Sequence, residues 1–167
     1  QIATRALCVN LSDMAAMGAT PRWFTLALTL PSAKANAQWL EGFSRGLATV
    51  AGQYDIALIG GDTTAGPLTI SLTLLAEVPA TEALQRNGAK PGDALYVTGT
   101  LGDGAAALEM ISSSGSAHSE RLLTRFYQPQ PQIEAGIRLR NIASACIDIS
   151  DGLIADLGHI CEVSGVR

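Results

Sequence analysis

Apolar residues first recur at helical spacing. Leu7, Leu11, Met14 and Gly18 fall at three- and four-residue steps, which predicts an amphipathic helix over Ala3–Met17, with Gly18 ending it and Pro21 beyond. The period then changes to two. Phe24, Leu26, Leu28 and Leu30 alternate with Thr25, Ala27 and Thr29, the pattern of a strand with one strongly apolar face, stopped by Pro31. Trp39, Leu40, Phe43, Leu47, Val50 and Ala51 return to helical spacing. A short run, Ile56–Ile59, and a long alternating run, Leu68–Val78, then predict two more strands. Between them, Gly60-Gly61-Asp62-Thr63-Thr64 reads as a sharp corner that places a carboxylate beside exposed backbone amides.

Helices returning between strands favour an α/β sandwich with helices on one sheet face. The other face carries Thr25, Ala27, Thr29, Thr69, Ser71 and Thr73, small and half-polar groups suited to packing on a second sheet or subunit, so a homodimer is expected. Periodicity breaks over Thr81–Asp93, and a domain boundary is placed near residue 80, giving units 1–80 and 81–167. In the second unit, Lys90-Pro91-Gly92-Asp93 opens a strand over Ala94–Thr98. A glycine-rich loop follows at Gly99–Gly104, then a short helix through Met110 and an exposed polar loop over Ser112–Ser119. Gln128-Pro129-Gln130-Pro131 starts a helix with Ile133, Ile137 and Ile142 in phase. It leads to a strand over Ala145–Ile149, an Asp-rich turn, and a helix carrying Leu153, Leu157, Ile160 and Cys161.

The chain has 167 residues, 47% of them hydrophobic and 16% charged, enough apolar material for a sizeable core. Its apolar runs are broken well before the ~20 residues a membrane span needs. Formal net charge is −4 with Lys and Arg scattered, which excludes an electrostatic footprint for nucleic acid. Cys8, Cys146 and Cys161 are odd in number and lack metal-ligand spacing, as expected for free thiols in a reducing, cytoplasmic compartment. The chain opens on Gln1 directly in helical periodicity and reads as part of a longer protein.

Carboxylates stand at element ends: Asp13 late in the first helix, Asp62 in the Gly-Gly-Asp corner, and Asp148 and Asp151 around a strand-to-helix turn. Magnesium takes hard oxygen ligands, commonly one or two carboxylates plus substrate phosphates, and this placement suits such a site. Each motif also has a plain structural reading. Ser150 or Asp151 fits an ordinary N-cap, and Asp62 fits a turn bonded to its own backbone. Gly99-Thr100-Leu101-Gly102-Asp103-Gly104 follows a strand and opens a helix, where a loop can cradle phosphate, yet it lacks a Walker Lys and fits a tight turn equally. His118 and His159 are read as solvated or packing residues, and no catalytic nucleophile or general base is assigned.

Taken together, Asn10–Ala19, Trp23–Leu28, Gly60–Thr64, Gly88–Asp93 and Asp148–Leu153 closely resemble the thiamine-monophosphate kinase family, within the superfamily of aminoimidazole ribonucleotide synthetase. The resemblance implies transfer of the γ-phosphoryl group of ATP to thiamine monophosphate, giving thiamine diphosphate, with Mg2+ required. It implies that Asp13, Asp62, Asp148 and Asp151 bind metal, and that Gly61, Asp62, Arg86 and Ser150 contact ATP. It further implies an α/β amino-terminal domain that dimerises through its sheet, followed by an α/β carboxy-terminal domain. Relatives usually have an earlier segment with further aspartates, a fuller second domain, and Arg where this chain has Ala65, so poor turnover is expected of these residues alone.

Overall fold

The computed structural model describes residues 1–113 and 119–167. Elements run α1 (Ile2–Ala16), β1 (Thr20–Leu30), a single 3-10 turn (Ser32–Lys34), α2 (Ala37–Gln53), β2 (Ala57–Ala65), β3 (Thr69–Glu77), α3 (Asp103–Ser112), α4 (Glu120–Tyr127), α5 (Ile133–Leu139) and α6 (Leu153–Ser164). The architecture is mixed α/β, as the alternating periods predict. No helix among the described residues is long and apolar enough to cross a membrane.

The helical stripe of α1 buries Ala3, Leu7, Cys8, Leu11 and Ala15, and α2 buries Phe43, Leu47 and Val50. Both stripes close on the apolar face of β1, where Phe24, Leu28 and Leu30 complete one core. The start of α2 is set by Asn36, whose side chain accepts from the Trp39 amide at 3.0 Å. The end of α1 is set by Gly18, at φ +64. The Gly18 amide bonds the Ala15 carbonyl and the Ala19 amide bonds the Met14 carbonyl, closing the last turn through a left-handed residue.

Strand β1 lies at the centre of a three-stranded sheet in the order β2-β1-β3, parallel to β2 and antiparallel to β3. It begins four residues earlier than the alternation predicts, because β3 is long enough to pair with it back to Thr20, with a register shift between Pro21 and Trp23. The small and half-polar face that was expected to be covered is open to solvent, and Trp23 and Leu75, paired across the ladder, are both exposed.

The Gly-Gly-Asp corner is the main correction. Gly60, Gly61 and Asp62 lie inside β2, opposite Thr25, Leu26 and Ala27, and the chain turns only after Ala65. Glycine is needed there for a different reason than a turn. Gly61 has φ +147, and a Cβ on it would sit 1.9 Å from the Leu26 carbonyl oxygen, so the two backbones approach more closely than any side chain permits.

The second half also departs from expectation. Neither 94–98 nor 145–149 pairs into a sheet ladder among the described residues. Tyr96 is 88% exposed, and a single backbone bond, Cys146 N–H to the Gln85 carbonyl at 2.9 Å, ties the second segment to a neighbour. A strand-like sequence becomes a strand only where a partner lies alongside. Helix α5 stops at Leu139, and Asn141 at φ +60 turns the chain before Ile142, which is left exposed. Helix α4 had not been anticipated. It is capped by Ser119, which accepts from the Leu122 amide, and follows a predicted loop whose residues 114–118, with the expectation for His118, lie outside the described residues.

Candidate functional site

A cleft of about 530 Å³ opens where the last turn of α1 meets two extended segments of the second half, around 84–87 and 146–148. Asp13, Met17, Arg86, Asn87, Cys146 and Asp148 are among the residues that line it. Backbone hydrogen bonds assemble these walls. The Met17 carbonyl accepts from Leu84 N–H at 3.0 Å, which lays the 84–87 segment against the end of α1. The Gln85 carbonyl accepts from Cys146 N–H, which brings Asp148 to the same opening. Ser164, in the last turn of α6, accepts at Oγ from the Gly88 and Ala89 amides at 3.2 Å and donates to the Arg86 carbonyl at 3.4 Å. Ser164 thereby fixes the loop that carries Arg86.

The electrostatics of this opening are unbalanced. Asp148 is half-buried, and loss of solvent is the largest influence holding its carboxyl above the usual carboxylate range; the negative charge of Asp13 acts in the same direction, with a smaller push from Asp156. A hydrogen bond to its own backbone amide and the Arg86 guanidinium oppose the rise only in part. Two facing carboxylates and one cation leave a local excess of negative charge.

The loop after Asp148 is organised by a residue that sequence reasoning missed. Asp156, 3% exposed, accepts at one oxygen, Oδ2, from the amides of Ser150, Asp151 and Gly152 at 3.0, 3.1 and 3.1 Å. A carboxylate inside the first turns of α6 thus satisfies amides that would otherwise be left unpaired at the helix start. Ser150 and Asp151 are therefore not N-caps; the cap position is Gly152, and both preceding side chains remain exposed beside the cleft loop. The available signal was position: Asp156 is the one carboxylate between Asp151 and Glu162, set in the mostly apolar first half of the helix.

The remaining candidates lie elsewhere. Gly61 and Asp62 are on the exposed strand β2 and do not line the cleft; Asp62 Oδ1 accepts from the Thr63 amide at 2.8 Å, and Thr64 bonds Thr29 across the ladder at 2.9 Å. The structure thus brings together Asp13, Arg86 and Asp148, with Ser150 and Asp151 on the adjoining loop and Asp62 on a separate strand. Among the described residues no three carboxylate, thiol or imidazole groups form a ready-made metal cluster. At the glycine-rich loop, Asp103 occupies the start of α3 and pairs with Arg125 at 2.8 Å and Arg121 at 3.5 Å. A carboxylate holds the position that a phosphate would need, which favours the tight-turn reading of that loop. His159 is exposed, and of the free cysteines only Cys8 is buried.

The family model for the AIR synthase related protein, N-terminal domain, matches residues 1–78. Thiamine-monophosphate kinase of Salmonella typhimurium is 53% identical over 168 aligned positions, which cover 98% of this chain and 51% of that protein. The chain is a relative of the thiamine-monophosphate kinases. The solved structures agree. The crystal structure of thiamine-monophosphate kinase from Stenotrophomonas maltophilia superposes with a TM-score of 0.90 at 48% identity, covering 98% of this chain and 54% of that one. AaThiL complexed with AMPPCP and TMP superposes at 0.89 with 31% identity, covering 99% of this chain and 55% of that one. The chain spans about half the length of the thiamine-monophosphate kinases it matches.

Proposed function

We propose that this chain is part of an ATP- and magnesium-dependent kinase that phosphorylates thiamine monophosphate to thiamine diphosphate. The observation that carries this reading is that 53% identity to a thiamine-monophosphate kinase runs through the cleft segments, coupled with the meeting there of Asp13, Arg86 and Asp148. The neighbour complexed with AMPPCP and TMP supports ATP and thiamine monophosphate as the two substrates.

The donor set fits magnesium. Asp13 and Asp148 repel one another across an opening with too little protein cation, and two carboxylates that leave the remaining positions to water and phosphate oxygens suit this ion. When bound, magnesium supplies charge neutralisation for the phosphate oxygens of both substrates. In this reading Asp13, Asp148 and Asp151 hold metal and Arg86 and Ser150 contact ATP at the cleft, while the roles of Asp62 as a metal ligand and of Gly61 and Asp62 as ATP contacts fall on strand β2, outside the cleft lining. Asp156 keeps the Asp148–Asp151 loop in place. No side chain is assigned as general base, because a phosphate acceptor is already ionised near neutral pH.

The same reading takes 1–80 as the amino-terminal unit and 81–167 as the start of a second one, in a cytoplasmic homodimer. The exposed outer face of the sheet, with Trp23 and Leu75, supports a second copy docking there. The test uses the full-length protein with ATP, magnesium and thiamine monophosphate, following thiamine diphosphate by chromatography. Asp148→Asn is expected to lower turnover by about two orders of magnitude, on the scale of lost electrostatic stabilisation. Magnesium-dependent nucleotide binding without product would instead favour a sister enzyme with another acceptor, or a binding module.

A further inference from the structure

We infer that Arg140 is a positioning residue: by clasping the C-terminal turn of α1 it sets where Asp13 lies relative to Arg86 and Asp148. This rests on the function proposed above for the cleft. The C-terminal turn of α1 is held from the second half of the chain at three points. Arg140 Nε donates to the Gly18 carbonyl at 2.6 Å, Leu84 N–H donates to the Met17 carbonyl at 3.0 Å, and Gly136 packs so closely that a Cβ on it would sit 2.0 Å from the Ala15 carbonyl oxygen. Two of these contacts come from α5 and its C-cap, the third from the segment that carries Arg86.

A guanidinium at this place answers a specific need. The Gly18 carbonyl lies two residues past α1, just beyond the negative end of the helix dipole, where a bonded cation is favourable. The Arg140 stem also packs on Gly18, whose missing side chain leaves the space; a Cβ there would lie 3.2 Å from Arg140 Cγ. The arrangement has a cost, since Arg140 Nη2 is buried with no hydrogen-bond acceptor among the described residues. A simple packing residue would avoid burying an unpaired donor, so the bond to α1 is what this side chain contributes. Asp13 lies in the last turn of α1, five residues before Gly18, and Leu84 is two residues from Arg86, so a shift of the clasp moves opposite walls of the cleft against each other.

The test compares wild-type, Arg140→Met and Arg140→Lys in the full-length protein, with two readouts. Alkylation of Cys146, followed at peptide level by mass spectrometry, reports whether the cleft walls separate. Magnesium-dependent binding of a fluorescent ATP analogue reports the site. Arg140→Met should speed Cys146 alkylation several-fold and raise the half-saturating magnesium concentration several-fold, with the urea midpoint matched or corrected for. Arg140→Lys, which keeps a donor and a charge, should recover most of both. Unchanged alkylation in Arg140→Met overturns the clasp, and faster alkylation with unchanged magnesium dependence overturns the positioning role. Should wild-type protein bind no magnesium-nucleotide, the proposed function falls while the alkylation readout still decides the clasp.

Discussion

The two halves of the chain are stabilised differently. Residues before 80 bury a continuous apolar core, with Phe24 1% exposed and Leu7, Leu11 and Val50 fully enclosed. Among the described residues the second half encloses few side chains, Leu84, Ala107, Pro131 and Asp156 with Gly136, and leaves Tyr96, Ile142 and Ile154 largely in solvent. What differs is the presence of a paired sheet. In the first half β1 has a neighbour on each side, so its apolar face is a surface on which α1 and α2 can close. Among the described residues the apolar segments of the second half join no ladder, and Tyr96, Ile142 and Ile154 stay exposed. The cleft forms where the ordered end of α1 meets these segments.

The largest expected effect tests this contrast directly. Phe24→Ala removes an enclosed ring from the centre of the core and should cost about 3–5 kcal/mol in urea unfolding. Ile154→Ala, at a site 87% exposed, should stay within about 0.5 kcal/mol. Comparable losses would mean that α6 is buried in solution and that the two halves do not differ as described.

Next in size is Gly61→Ala. With a Cβ 1.9 Å from the Leu26 carbonyl and a φ of +147, the variant must push β2 away from β1, at a cost of about 2–4 kcal/mol. In the second half, Gly104→Ala meets nothing within 4 Å among the described residues, at a helical position in α3, and should stabilise by up to about 1 kcal/mol. Equal midpoints for the two variants would show that the β1–β2 approach is looser than the backbone distances state.

The same glycine shows what the sequence made legible and what it hid. Periods of 3.6 and 2 marked α1, β1, α2 and β3 because those elements have one buried face each, and burial is what imposes a period. Gly60-Gly61 looked like a corner because a turn and a close backbone approach both demand a missing side chain, and the local sequence does not distinguish them. Segments 94–98 and 145–149 have the composition of strands, but pairing depends on a partner remote in sequence. At the site, Asp13 and Asp148 stood out by their place at element ends and Arg86 only through the family resemblance, and the three line one cleft. Asp156 escaped notice because its role is to bond backbone amides five and six residues earlier, which carries no side-chain pattern.

A pH series sharpens the contrast at intermediate size. Cys8 lies within the first-half core, and burial pushes its thiol up to about 11. Since the folded state holds the neutral thiol, its stabilising contribution is complete below the unfolded thiol's range, near 9, and disappears as pH rises toward 11. The loss should be roughly 2 kcal/mol across that window. Urea midpoints between pH 8 and 11 check this, and Cys8→Ala should remove the additional slope. A slope that persists in the variant would assign the alkaline loss to other groups.

The smallest effects concern charge. Arg22 and Glu77 pair at 2.8 Å across β1 and β3, and Arg138 and Glu134 pair at 2.9 Å along α5, with all four side chains substantially exposed. Solvent screens both pairs, so Glu77→Gln and Glu134→Gln should each cost no more than about 0.5 kcal/mol, and less at high salt. Equal and small losses in the two halves would mean that these two exposed ion pairs contribute nothing to the difference between them. The contrast would then rest on apolar burial, which the sheet permits in the first half and its absence prevents in the second. A loss above about 1 kcal/mol for Glu134→Gln alone would overturn that account, because a half with few enclosed side chains would then be held by its charges.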